Sequence, residues 1–131
     1  ALEILPAPQV PAATHARERA YAWFVEGARL EAMRADEHEV ERKVLEAIAL
    51  QPDDPSYRHI AGGLALRSNR PDDALAHFEV ALAHERSTFR RGELHHWNAI
   101  ASAWRKGTRA ALARRRHREV GVDFQLLTLT V

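Results

Sequence analysis

Two consecutive segments of the chain, residues 21–54 and 55–88, are each 34 residues long and carry small residues at matching positions. Each segment reads as two amphipathic helices separated by a short turn. Small residues at fixed positions allow paired helices to approach closely. They are Ala28 and Ala47 at positions 8 and 27 of the first segment, and Gly62 and Ala81 in the second. This spacing predicts repeated helical hairpins rather than a sheet.

Capping and turn residues predict where the helices begin and end. A side-chain oxygen before a helix accepts from the first-turn N–H groups, and proline suits the first helical position. Asp36 followed by Glu39 forms a capping-box signature. The predicted helix starts are Thr14, Asp36, Asp54, Pro71, Ser87 or Thr88, and Arg109, and the breaks are Gln51–Asp54, Asn69–Pro71 and Gly107–Thr108. The result is six helices within one domain over residues 14–121.

The two ends of the chain differ in composition from the helical part. Residues 1–13 contain three prolines and are predicted to form an extended arm. Residues 122–131, after Gly121, are rich in β-branched and apolar side chains, which is typical of a strand. Large apolar residues occur on both faces of this tail, which predicts burial on two sides.

A third unit follows if Phe89–Glu93 is treated as an insertion. Trp97, Ile100, Ala101 and Trp104 then fall at positions 4, 7, 8 and 11. Trp97 and Trp104 are seven residues apart, so both are expected to face one side of the third hairpin and to be largely buried. Over residues 21–120 the pattern resembles the tetratricopeptide repeat, whose signature is W-x-x-L-G-x-x-Y followed by small residues. The resemblance implies an all-α fold, a right-handed superhelical stack of helix-turn-helix hairpins with a short strand-like C-terminal tail. An irregular helical bundle remains the alternative.

The resemblance also implies a function in protein–protein interaction. In this family the first helices of successive hairpins line a concave groove that binds a peptide or a partner protein. Carried over, the expected groove residues are Val25, Arg29, Met33, His59, Leu66, Arg67, His95, Asn98, Ser102 and Arg105. The groove is expected to be mildly apolar at its first end and cationic at its last, which suits a ligand with an acidic portion.

Charge is distributed unevenly along the chain. Residues 1–85 contain 9 Lys/Arg against 15 Asp/Glu, whereas residues 86–131 contain 10 against 3. The basic patch near the C-terminus is expected to be a solvated helix face, and docking of an anion or an acidic partner there is the alternative. This patch comprises Arg109, Arg114, Arg115 and Arg118.

Residue spacing gives no support for catalysis. The chain has no cysteine, and its eight histidines have no metal-ligand spacing, so no cofactor and no metal site are predicted. No Ser/His/Asp constellation is readable, no aromatic residues alternate with the basic run for base stacking, and no apolar run has the length of a membrane span. A cytoplasmic location is expected, and a periplasmic or secreted one stays open.

A rival function follows from the strand-like tail. A solitary strand needs a partner, so the chain would be a helical subunit or segment of a larger enzyme whose sheet the tail completes. Pairing with a second copy or with another protein through residues 122–131 is equally compatible with this pattern. The third interpretation is a tail that packs over the end of the last hairpin.

Deleting residues 122–131 distinguishes these interpretations. If the tail packs within its own chain, the truncated protein stays monomeric and melts at a lower temperature. If the tail pairs between copies, the intact chain self-associates and truncation abolishes the association while helicity is kept. Light scattering and circular dichroism measure both properties. A monodisperse monomer at high concentration would rule out self-pairing.

Overall fold

The computed structural model of the protein describes residues 12–118. This part of the chain contains five helices and no strand. The chain divides into two compact units, Ala1–Pro52 and Asp53–Val131. The helices are α1 (Ala12–Ala32) and α2 (Glu37–Leu50) in the first unit, and α3 (Pro55–Arg67), α4 (Pro71–His84) and α5 (Thr88–Arg118) in the second. The all-helical class is confirmed for the described residues.

The first unit is a hairpin of α1 and α2 held by a small apolar core. Gly27 is buried where the two helices approach, and a Cβ there would lie 3.3 Å from the Cβ of Lys43 and 3.4 Å from Cγ2 of Val44. The expectation that Ala28 makes this contact is wrong, because Ala28 is exposed and its neighbour Gly27 faces α2. The buried apolar residues of this hairpin are Ala20, Val40, Val44, Ala47 and Ile48.

The turn between α1 and α2 satisfies the backbone groups at the end of α1. The N–H of Ala35 donates to the carbonyl of Leu30, and the N–H of Arg34 donates to that of Glu31, both at 2.9 Å. These are the two bonds of a Schellman motif, which requires a left-handed residue after the helix. Arg34 occupies that position with φ = 58°. A residue with a Cβ is strained there.

The second unit is built on close contact between α3 and α4. Ala61, Ala74 and Ala81 are fully buried, and a Cβ on Gly62 would lie 2.7 Å from two ring atoms of the buried Phe78. An aromatic ring therefore packs directly against the backbone of α3. The expected close approach of the two helices at these small residues is confirmed.

Most of the expected helix ends are confirmed. Asp36 accepts from the N–H of His38 at 2.7 Å, and Asp54 accepts from that of Ser56 at 2.9 Å. Pro71 begins α4, and Ser87 Oγ accepts from the N–H of Arg90 at 3.3 Å before α5. α1 begins at Ala12, two residues before Thr14, so Thr14 does not cap it. Helix ends commonly shift by this amount.

The break predicted at Gly107–Thr108 is wrong, since α5 runs unbroken for 31 residues. An isolated glycine in a helix costs only about 1 kcal/mol relative to alanine, and the flanking Ala, Arg and Lys residues favour helix. The sixth helix and the third hairpin are therefore not formed within the described residues. The arm over residues 1–11 and the tail over 122–131 lie outside them.

α5 packs along the whole length of α4 and then continues beyond it. Leu94 and Ala101 of α5 join Phe78 of α4 in one buried cluster. The Arg91 guanidinium donates to the carbonyl of Leu82 at 2.6 Å near the end of α4. At the other end, the Arg105 guanidinium lies 3.4 Å from Asp72 in the first turn of α4. These two interactions mark the two ends of the contact between α4 and α5. We call residues 106–118 the distal segment of α5.

Two neighbouring glycines test the close contact of α3 with α4. Replacing Gly62 by alanine should lower the free energy of unfolding by roughly 1–3 kcal/mol, because the new Cβ overlaps the Phe78 ring. Gly63→Ala is the matched control: nothing lies within 4 Å of its Cβ position, so greater helix propensity should raise stability by up to about 1 kcal/mol. Urea unfolding measures both, and equal effects of the same sign would contradict the contact.

The left-handed Arg34 gives a second test. Arg34→Gly should raise the free energy of unfolding by about 0.5–1 kcal/mol, since glycine adopts this conformation without the Cβ clash. Arg34→Ala removes the same charge but keeps the Cβ, so it should bring no such gain. Chemical denaturation of the two variants separates conformation from charge. Equal stabilities would contradict the Schellman turn.

Candidate functional site

The expected groove residues of the first unit lie together: Val25 and Arg29 are on an exposed face of α1, and Met33 directly follows the last residue of that helix. Val25, Arg29 and Met33 follow one another at intervals of four residues, and Met33 is 64% exposed. Arg29 donates to both carboxylate oxygens of Glu26, at 3.0 and 2.6 Å, and to the sulfur of Met33 at 3.0 Å. The hydrogen bonds that Glu26 accepts from Arg29, together with the positive charge of Arg29, lower the pKa of the Glu26 carboxyl.

The groove residues of the second unit have mixed environments. Leu66 is only 3% exposed and belongs to the buried cluster, so its expected role in ligand contact is wrong. His59 is half-buried, with its ring edge packed on Phe78 at a centroid distance of 6.2 Å. Arg67 and His95 are exposed, while Asn98, Ser102 and Arg105 are half-buried on α5.

An open cleft of about 450 Å³ lies between the α3–α4 turn and α5. Three arginines, two aspartates and a few apolar groups line it. We call it the turn cleft, and its residues are Asn69, Arg70, Pro71, Asp72, Asp73, Arg105, Thr108, Arg109 and Leu112. It brings together Arg105, expected in the groove, and Arg109, expected in a separate basic patch.

The α3–α4 turn gives the cleft one defined wall. Asn69 has φ = 58°, and the N–H of Arg70 donates to the carbonyl of Ala65 at 2.8 Å, so the turn is a second Schellman motif. The side-chain oxygen of Asn69 accepts from Nε1 of Trp104 at 2.6 Å. This bond joins the turn to α5 at Trp104, the residue before Arg105, and so fixes the width of the cleft at that end.

The charges of the cleft are partly compensated. Arg70 lies 3.0 Å from Asp73, and Arg105 lies 3.4 Å from Asp72. Arg109 is exposed and forms no ion pair within residues 12–118. Two buried atoms on the same face of α5, Arg105 Nε and Asn98 Oδ1, have no hydrogen-bond partner among the residues that the structure describes. The cleft therefore offers one uncompensated cation beside the apolar side chain of Leu112.

Of the expected basic patch, the structure describes only the side chain of Arg109, which lies with Arg70 and Arg105 in the turn cleft. Arg114, Arg115 and Arg118 lie on the helical backbone of α5, and their side chains are outside the described part. Arg70 was not expected from the sequence, where it stood only as part of a helix break. The sequence spacing could have predicted that Arg105 and Arg109 lie together, because residues four apart share a face of a continuous helix.

The described residues contain neither a cluster of metal ligands nor a helix that could span a membrane. His, Asp and Glu side chains between residues 12 and 118 form no group of three that could hold a metal ion. None of the five helices, over the same residues, is both long and apolar enough to cross a membrane. Neither a protein-family model, nor a curated protein, nor a solved structure matches this chain.

Proposed function

We propose that this chain is a protein-interaction module whose turn cleft binds an acidic segment of another protein. One observation carries the proposal: the cleft unites Arg105 and Arg109, two residues that the sequence indicated as candidate contacts of an acidic partner, with Arg70. Helical hairpins of the tetratricopeptide type, which the two 34-residue segments resemble, are typical protein-binding scaffolds.

The cleft chemistry favours a short acidic segment with an apolar residue. Arg109 supplies a guanidinium that no carboxylate within the described residues neutralises, and guanidinium binds carboxylates through paired hydrogen bonds. Leu112 and Pro71 supply apolar surface next to it. Asp72 and Asp73 repel ligands of high negative charge density, so a mixed acidic and apolar peptide fits better than a polyanion.

Charge reversal in the cleft tests the proposal. Fluorescence anisotropy measures the Kd of a labelled short peptide of alternating Asp and Leu. Arg109→Glu should weaken binding by about tenfold or more, since it replaces an attraction by a repulsion, and the effect should shrink as salt screens the charges. The proposal predicts no binding of the same peptide with Lys in place of Asp.

The matched control is Arg90→Glu on the same helix. Arg90 is exposed and lies before the first contact of α5 with α4, outside the turn cleft. The net charge changes equally in both variants, so a general electrostatic effect would weaken both alike. Equal Kd values for wild type and Arg109→Glu would remove the acidic segment from the cleft.

A further inference from the structure

On one face of α5 the α3–α4 hairpin leaves two aromatic side chains exposed, Phe89 and Trp97. Phe89 is 76% exposed and Trp97 is 38% exposed, although burial of Trp97 was expected from the sequence. At about 100° per residue, six residues between positions 89 and 104 of this helix fall within one arc of about 100°. We call this arc the aromatic face, and it consists of Phe89, Glu93, His96, Trp97, Ile100 and Trp104.

The aromatic face is long, shallow and supported from below. It extends over 16 residues, from Phe89 to Trp104, which is about 22 Å along the helix axis. Ile100 and Trp104 pack against the buried cluster, and the ring of His96 meets that of Trp97 edge-on at 6.0 Å. Because its inner members are held by the core, the face offers a fixed surface to a partner, and its length matches a helix of about four turns.

The distribution of charge along α5 indicates which charges a partner helix should carry. The helix contains nine Lys/Arg residues and one acidic residue, Glu93. All but two of these cations lie at or beyond Arg105, whereas Glu93 lies within the aromatic face near the start of the helix. A partner helix complements this pattern if it is acidic at one end and carries a basic residue opposite Glu93. Nucleic-acid phosphates or anionic lipid headgroups along the face would meet Glu93 with like charge.

We propose that the aromatic face of α5 binds an amphipathic helix of another protein. The apolar stripe of that helix lies on Phe89, Trp97 and Ile100, and its acidic end lies toward Arg105 and the distal segment. This inference rests on the proposed function, since it requires a protein partner. It adds the form of the partner, a helix with spaced apolar anchors, and a second contact surface beside the turn cleft.

The test uses the full chain and two synthetic peptides. The first peptide is a helix of about four turns with Leu at i, i+3, i+4 and i+7, Glu flanking one end and Lys at the other. The second has the same composition in an order that removes the apolar stripe. Fluorescence anisotropy should show binding of the first peptide and at least about tenfold weaker binding of the second.

Two substitutions in the aromatic face locate the site. Phe89→Ser and Trp97→Gln should each weaken binding of the first peptide by about tenfold or more, because aromatic anchors dominate such contacts. Tyr21→Ser is the matched control, since Tyr21 is an aromatic residue of α1 with 62% exposure outside the face. The side chain of Phe89 is so exposed that its loss leaves the fold intact, which circular dichroism verifies.

The outcomes separate this inference from the proposed function. If Phe89→Ser and Trp97→Gln bind the helical peptide like wild type, the inference is overturned. If only Arg109→Glu loses it, the peptide occupies the turn cleft, so the inference fails while the proposed function stands. Loss in the aromatic-face variants supports the inference even when Arg109→Glu leaves the short acidic peptide bound. Tighter binding of single-stranded RNA or phosphatidylserine vesicles than of the helical peptide would also overturn it.

Discussion

The contact of the Phe78 ring with the backbone of Gly62 is the constraint on which the second unit depends. Because Gly62 contributes no side chain there, the ring reaches the backbone of α3, and Ala61, Ala74 and Ala81 are fully buried between the two helices. α4 then presents a regular surface on which α5 lies, with Leu94 and Ala101 completing the same cluster. Both candidate sites lie at the edge of this packed core. The turn cleft is at the start of α4, and the aromatic face is on α5 beside the core.

Local signals in the sequence predicted the helix ends well because their causes are local. Asp36, Asp54 and Ser87 accept hydrogen bonds from N–H groups two or three residues away, so the sequence contains both partners. The small residues at matching positions likewise predicted the α3–α4 contact. In the first hairpin the same reasoning failed by one residue, since Gly27 rather than Ala28 faces α2. Helix rotation depends on the packing of the entire hairpin, and spacing alone does not define it.

The site was less predictable because it depends on how long α5 is. Gly107–Thr108 has the residues of a break, yet neither residue prevents a helix, and nothing in the sequence alone decides between a turn and continuation. With the break assumed, Arg105 and Arg109 belonged to different helices and different predicted sites. With α5 continuous they share one face and meet Arg70 across the turn cleft. The same continuity explains why Trp97 is exposed where a returning helix was expected to cover it.

The position of Phe78 has a consequence for motion. Its ring is fully buried, with the backbone of Gly62 against it and the centroid of the His59 ring 6.2 Å away. Rotation of the ring by 180° then requires α3 and α4 to move apart. The rate of exchange between the two edges of this ring, measured by nuclear magnetic resonance, would therefore report the rate at which the hairpin opens. The residue that packs the hairpin most tightly is also the one whose dynamics report how often it comes apart.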